Sequence, residues 1–136
     1  MPLSSELQSI TGAQELHDWF GFWPDFHDAE VIRFHLNRSG PSYLAIHTWE
    51  MNKRIDSKGH YELAKHVVVE FILDEVSNLG LDGFSSQNVI SSLGVERIKK
   101  GFRLVLGPCF GLSGSIEAER VSIRVSPGPP STSPSS

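Results

Sequence analysis

One cysteine, Cys109, stands in the 136-residue chain, and a lone thiol excludes an internal disulfide. No apolar run approaches the roughly 20 residues that a membrane-spanning helix needs. Met1 to Ser9 lacks the basic head and apolar run of a secretory signal, so a cytoplasmic location is expected. Basic residues run no longer than a pair, as at Lys99 and Lys100, and 12 Lys plus Arg against 16 Asp plus Glu leave a net charge of −4. Sequence-independent nucleic-acid binding needs a basic face to displace counterions, so it is excluded. The charge suits a basic protein partner better than DNA or an anionic membrane. Nucleophile-elbow, zinc-spacing, dinucleotide-fingerprint and phosphate-loop motifs are all missing, so neither a cofactor nor an enzyme is expected.

What is present is an ordinary globular composition, 39% hydrophobic, 10% aromatic and 21% charged. A chain of this length builds one core and buries roughly two-thirds of its unfolded surface. The folded body is expected over residues 5–126. The Pro/Ser-rich residues 127–136 carry no charge and no side chain able to anchor in a core. Such a segment cannot recover its ordering entropy by burial, and it is expected to be a disordered tail.

Thr11 and Gln14 have capping-box spacing, Ala13, Leu16, Trp19 and Phe20 share one stripe, and Gly21 supplies a left-handed stop. The pattern predicts a helix over about 12–20. Alternation then predicts strands. Ile32, Phe34 and Leu36 oppose Arg33, His35 and Asn37, and a turn at Arg38–Pro41 leads into Tyr43–Glu50. The polar stretch Asn52–Gly59 tips the hairpin. Val67–Leu73 is apolar on both faces and is expected to be a central strand, with Val76–Gly83 a separate shorter one. Phe84–Leu93 is expected to form a short second helix capped by Ser85, and Val95–Lys99 and Phe102–Leu106 a hairpin. In the last strand, about 115–125, the apolar set changes parity from Ile116 and Ala118 to Val121, Ile123 and Val125, which requires a β-bulge near Glu119 and Arg120. The fold class is α+β, a mostly antiparallel curved β-sheet with an N-terminal helix and a short second helix.

The densest chemistry is Asp25-Phe26-His27-Asp28-Ala29-Glu30. A metal-dependent hydrolase centred on His27, Asp28 and Glu30 is one reading, but extended neighbours point opposite ways, so a ligand from elsewhere is required. The other reading makes His27 or Asp28 a cap for backbone groups entering the sheet. Neither His47 nor His66 has a neighbour at ligand spacing. Cys109 has no basic residue beside it and is expected to be an inert core thiol. The glycines of Gly111–Ser115 suit a bend better than a phosphate site. Surface remains: Trp49, Glu50, Asp56 and Glu62, with Asp74 and Glu75 nearby, form an aromatic in an acidic rim and are the candidate partner-binding residues. A general binding module with a concave face lined by Phe34, Tyr43, Trp49 and Phe71 is the rival.

The strings Trp23-Pro24-Asp25-Phe26-His27-Asp28-Ala29-Glu30-Val31, Ile46-His47-Thr48-Trp49-Glu50-Met51, Lys65-His66-Val67-Val68-Val69, Gly83-Phe84-Ser85-Ser86-Gln87-Asn88-Val89-Ile90 and Cys109-Phe110-Gly111-Leu112-Ser113-Gly114 resemble the immunity protein 50 family. That family consists of small, largely β-stranded proteins encoded beside bacterial polymorphic toxins. The resemblance runs from about Trp19 to Val125 and implies a non-enzymatic protein that binds and neutralises a cognate toxin in the producing cell. It implies no catalytic residue, metal or cofactor. Trp23, His27, Asp28, Glu30, Gln87 and Asn88 are then expected to be structural fingerprints of the fold.

Overall fold

The computed structural model describes residues 4–55, 61–128 and 130, and of residues 50–55, 61–65 and 108 the backbone alone. Helices α1 (Ser5–Gln8) and α2 (Ala13–Phe20) precede strands β1 (Glu30–His35), β2 (Ser42–Ile55), β3 (Tyr61–Asp82), β4 (Val89–Ile98), β5 (Gly101–Phe110) and β6 (Ser113–Pro127). The strand pairings are antiparallel. This is the expected α+β architecture, with the curvature carried to closure: the order β1-β2-β3-β6-β5-β4 forms a barrel. The seam is narrow. Glu30 faces Val89 as the one Cα pair between β1 and β4, reinforced by Val31 N–H donating to Asn88 O at 2.8 Å and Ile90 N–H to Ala29 O at 2.9 Å.

Alternation fills the barrel with Leu44, Ile46, Val67, Val69, Phe71, Leu73, Leu104 and Ile116, all fully buried. Each such side chain stabilises the fold by about 1.5–3 kcal/mol relative to exposure. Helix α2 adds Ala13, Leu16 and Phe20 to the same core, the i, i+3, i+7 stripe of an amphipathic helix. Its start differs from the expected capping box. Gly12 is the N-cap at φ 92°, with no side-chain cap bond, and Thr11 pairs with Ser122, its carbonyl accepting from Ile123 N–H at 2.7 Å. Thr11 thus serves the sheet, and Gln14 bonds Asp18. The stop is as expected: Gly21 lies at φ 85° and donates to His17 O.

Several expectations are corrected. The second short helix is α1, at the N-terminus; of the expected helix Phe84–Leu93, residues up to Asn88 are loop and Val89–Leu93 open β4, because Asn88 holds the loop extended and β-branched Val89 and Ile90 continue into the sheet. Val67–Leu73 and the expected separate strand Val76–Gly83, up to Asp82, belong to one strand, β3. Its outward residues Val68 and Ile72 are half-buried, because no second layer covers that face among the described residues. A bulge between Val31 and Arg33 breaks the Ile32, Phe34, Leu36 face, so Val31 points inward and Leu36 is half-exposed. Phe34 and Phe71 pack in or against the core whereas Tyr43 and Trp49 alternate outward, so the concave face of the rival reading does not exist.

The parity change in β6 is present, and β3 changes with it. Leu73 faces Val121 and Val76 faces Ala118, all four directed at the core, so each strand carries one additional residue at the same level. On β3 the turn is made at Glu75, φ 56°. The register therefore runs unbroken past Glu119 and Arg120, and the register shift falls between Val76 and Asn78. Arg120 ties the kink, its Nε and Nη2 donating to Asp74 Oδ2 at 3.1 and 2.9 Å. At the other end, β6 extends past the expected body: Pro127 faces Val67, and Gly128 N–H donates to His66 O. Backbone amides make this tie, which side-chain composition does not register.

Candidate functional site

The Trp23–Glu30 string is the clasp of the barrel seam. Phe26, at φ 61°, drops a buried ring between Trp23 and Phe71, both centroids 6.1 Å away. Asp25 Oδ1 accepts from His27 N–H at 2.9 Å, and Asp28 N–H donates to Ile90 O at 3.0 Å. The cap of this turn is therefore Asp25. His27 turns Nδ1 to Ser91 O at 3.2 Å and Nε2 to Asp28 Oδ2 at 3.6 Å, with both side chains more than half exposed. Asp28 contributes its backbone to the seam and its carboxylate to the surface. His27, Asp28 and Glu30 do not converge on a common point, and among the described residues no group of three or more His, Cys, Asp or Glu side chains is placed to hold a metal ion.

Asn88 completes the seam from the other side. Buried to 3% exposure, its Oδ1 accepts from Ser85 N–H at 2.9 Å and Leu112 N–H at 3.1 Å, and its Nδ2 donates to Ser85 O at 2.9 Å. Gln87 takes part through its backbone, in a turn closed by Ser85 Oγ. The side chain welds the β3–β4 loop to the β5–β6 bend. Cys109, next to that bend, is exposed: outward alternation in β5 places it at the surface, against the expected core position.

The outer face of β1, β2, β3 and β6 carries the candidate partner surface. Registry sets Glu30, His47, Val68 and Ser126 in one row and Arg33, Ala45, Glu70 and Arg124 in the next. In the second row Glu70, 17% exposed, lies 3.9 Å from Arg33 and 3.2 Å from Arg124; these long side chains roof Ala45, which explains a fully buried alanine on an outer face. Above the first row, Trp49 packs on His47 with centroids 5.0 Å apart and on His66 at 6.2 Å. Asp56 lies outside the described residues, as do the side chains of Glu50 and Glu62; their strand positions follow Trp49 on β2 and precede His66 on β3.

His47 and His66 form a contact that sequence spacing alone misses. His47 Nε2 is 3.0 Å from His66 Nδ1. Ring centroids are 5.2 Å apart at 17°, so the nitrogens span most of that distance and the rings meet edge to edge. Burial, then the charge of His66, hold the His47 pKa below its ordinary 6.5, opposed by Glu30. The signal existed in the hairpin register, which brings positions 47 and 66 onto neighbouring rows, but fixing it requires knowing how the hairpin tip closes.

Charge is also unevenly placed. Glu6, Glu15, Asp18, Asp25, Asp28 and Glu30 all precede Arg33, the first Lys or Arg of the chain. Among the described residues none of these carboxylates pairs with a Lys or Arg, whereas Arg103, Arg120, Arg124 and Lys100 are each matched by acids from β3, β4 or β6.

No curated protein and no solved structure matches the chain. Residues 12–126 match the family described as Immunity protein 50, a span that runs from the Gly12 cap of α2 through the seam, the hairpin and nearly all of β6. The chain belongs to the Immunity protein 50 family.

Proposed function

We propose that this protein is a non-enzymatic immunity protein that binds a cognate bacterial toxin in the cytoplasm of the producing cell and neutralises it by covering its surface. The observation that carries the reading is the family match over residues 12–126. The carboxylates between Glu6 and Glu30, which make no Lys or Arg pair among the described residues, support a toxin with a basic surface, because complementary potentials raise the association rate and fix orientation. Trp49, with Glu50, Asp56 and Glu62 on the same hairpin, is the proposed contact. An aromatic residue with carboxylates close to it in sequence has the composition of an interface centre.

The test is co-expression with the toxin encoded beside this gene. Cells are expected to survive only with this protein present, and the purified pair to associate. Cells that die equally with and without it would refute the reading. Glu50→Lys with Asp56→Lys is expected to weaken association and leave the melting temperature unchanged; full protection by the double variant would remove the hairpin as the contact.

A further inference from the structure

Two of the strings that carry the family resemblance, Phe84–Asn88 and Cys109–Gly114, build one rigid surface. Asn88 bonds both segments. Gly83 and Gly111, at φ 77° and 84°, approach so closely that a Cβ on Gly83 would meet Gly111 O at 2.5 Å, and one on Gly111 would meet Gln87 O at the same distance. A hydrogen-bonded junction with no room for a methyl group holds one conformation.

What this junction presents is apolar. Phe84 is 66% exposed, and Leu36, 50% exposed on the β1–β2 turn, shares a cleft with it. Phe84, Leu36, Phe34, Leu81 and Leu112 line an open cleft of about 430 Å³, in which Asp82 is the one charged residue. Leu36 also borders a second depression lined by Arg38 and by two acids, Asp74 and Glu75. Those two share Arg120, whereas Asp82 makes no ion pair among the described residues. Single exposed apolar residues are ordinary, but several grouped around a cleft mark a contact site. The cleft is wide open, which suits a side chain projecting from a protein surface better than a small ligand, whose site buries most of it.

We propose that this cleft is an anchor pocket for the toxin, taking one apolar side chain of the toxin while an adjacent lysine or arginine pairs with Asp82. The proposal rests on the immunity reading and deepens it, adding a second contact at the barrel end. The charge of the occupant follows from Asp82, the one charged residue of the cleft, against which an acidic partner would be repelled.

Binding of the purified neighbouring toxin is measured for the full-length protein and for Phe84→Ala, Asp82→Asn and Val105→Ser, the last an exposed apolar residue on β5 outside the cleft. Phe84→Ala is expected to weaken affinity at least tenfold with an unchanged melting temperature. Asp82→Asn is expected to slow association at low salt and to lose that effect at high salt; Val105→Ser is expected to bind as the native protein does. Native-strength binding by both cleft variants overturns the cleft while leaving the immunity reading intact. Native protein that leaves the toxin free overturns both. A dimer that Phe84→Ala converts to monomer without loss of toxin affinity assigns the cleft to a second copy of this chain and overturns the proposal, and so does release of a small molecule from native protein that Phe84→Ala no longer carries.

Discussion

His47 Nε2 and His66 Nδ1 stand 3.0 Å apart across the β2–β3 hairpin, one donating the hydrogen that the other accepts. Burial first, and the charge of His66 second, hold His47 below its ordinary pKa of 6.5. The unfolded chain therefore takes up this proton before the folded one does, and stability falls as pH drops through about 6.5 toward the lower folded value. Above that window the contribution is complete. Melting temperature is expected to be flat on the alkaline side and to decline through the window. His66→Gln removes the second charge but keeps an amide able to bond His47, so the decline should become shallower. An unchanged slope in the variant would show that other groups set the acid limb.

Asn88 and Asp28 belong to the same seam and carry different weight. Replacing Asn88 by Ala strips the acceptor from Ser85 N–H and from Leu112 N–H; Leu112 is buried. A buried donor left without a partner costs about 1–3 kcal/mol, so Asn88→Ala is expected to lower the unfolding free energy by at least about 2 kcal/mol. Asp28→Asn keeps the left-handed backbone preference and alters only a half-exposed carboxylate, with an expected change within about 0.5 kcal/mol. Urea denaturation of both variants checks the order; a larger loss for Asp28→Asn would move the weight of the clasp to its carboxylate.

How far these features were legible depended on whether the signal was local. Ala13, Leu16 and Phe20 with the Gly21 stop announce α2, and the parity change between Ala118 and Val121 announces the kink in β6, because both are written in consecutive residues. The bulge at Ile32 was not legible, since β1 alternates well enough in sequence to hide it. Phe84–Leu93 misled because Val89, Ile90 and Leu93 also fit helical spacing; the Asn88 bonds to a loop 24 residues away decide for strand. Barrel closure at Glu30 and Val89, the His47–His66 bond and the exposure of Cys109 depend on registers between strands far apart in sequence. Periodicity within a strand says which residues share a face, and it is silent on which strand lies beside it.

Glu75 holds the β3 side of the kink at φ 56°, a left-handed conformation that an extended-chain side chain tolerates poorly and asparagine tolerates well. Its own ion pair with Arg120 is long, 3.5 Å, while Asp74 keeps Arg120 by two bonds. Glu75→Asn is therefore expected to raise stability slightly, by about 0.5 kcal/mol, and Glu75→Val to lower it, because a branched Cβ is least compatible with positive φ. Denaturation midpoints of the pair check the sign. If the two variants fall together, the kink depends on the Glu75 carboxylate more than on its backbone.

Gly12 and Gly21 bracket α2 and both have positive φ, yet they are not equivalent. A Cβ on Gly21 meets nothing within 4 Å, whereas one on Gly12 would come within 1.9 Å of Ile123 O, the carbonyl of the residue whose N–H bonds Thr11. Gly21→Ala carries the left-handed penalty alone, about 1 kcal/mol after the gain from a stiffer unfolded chain. Gly12→Ala adds a clash with backbone that has no flexible end to yield, and about 2 to 4 kcal/mol is expected. The difference between the two variants, read from urea midpoints, measures how tightly α2 is seated on β6. Equal losses would mean that the Thr11–Ile123 junction shifts freely, and α2 would then be a loosely attached helix instead of a wall of the core.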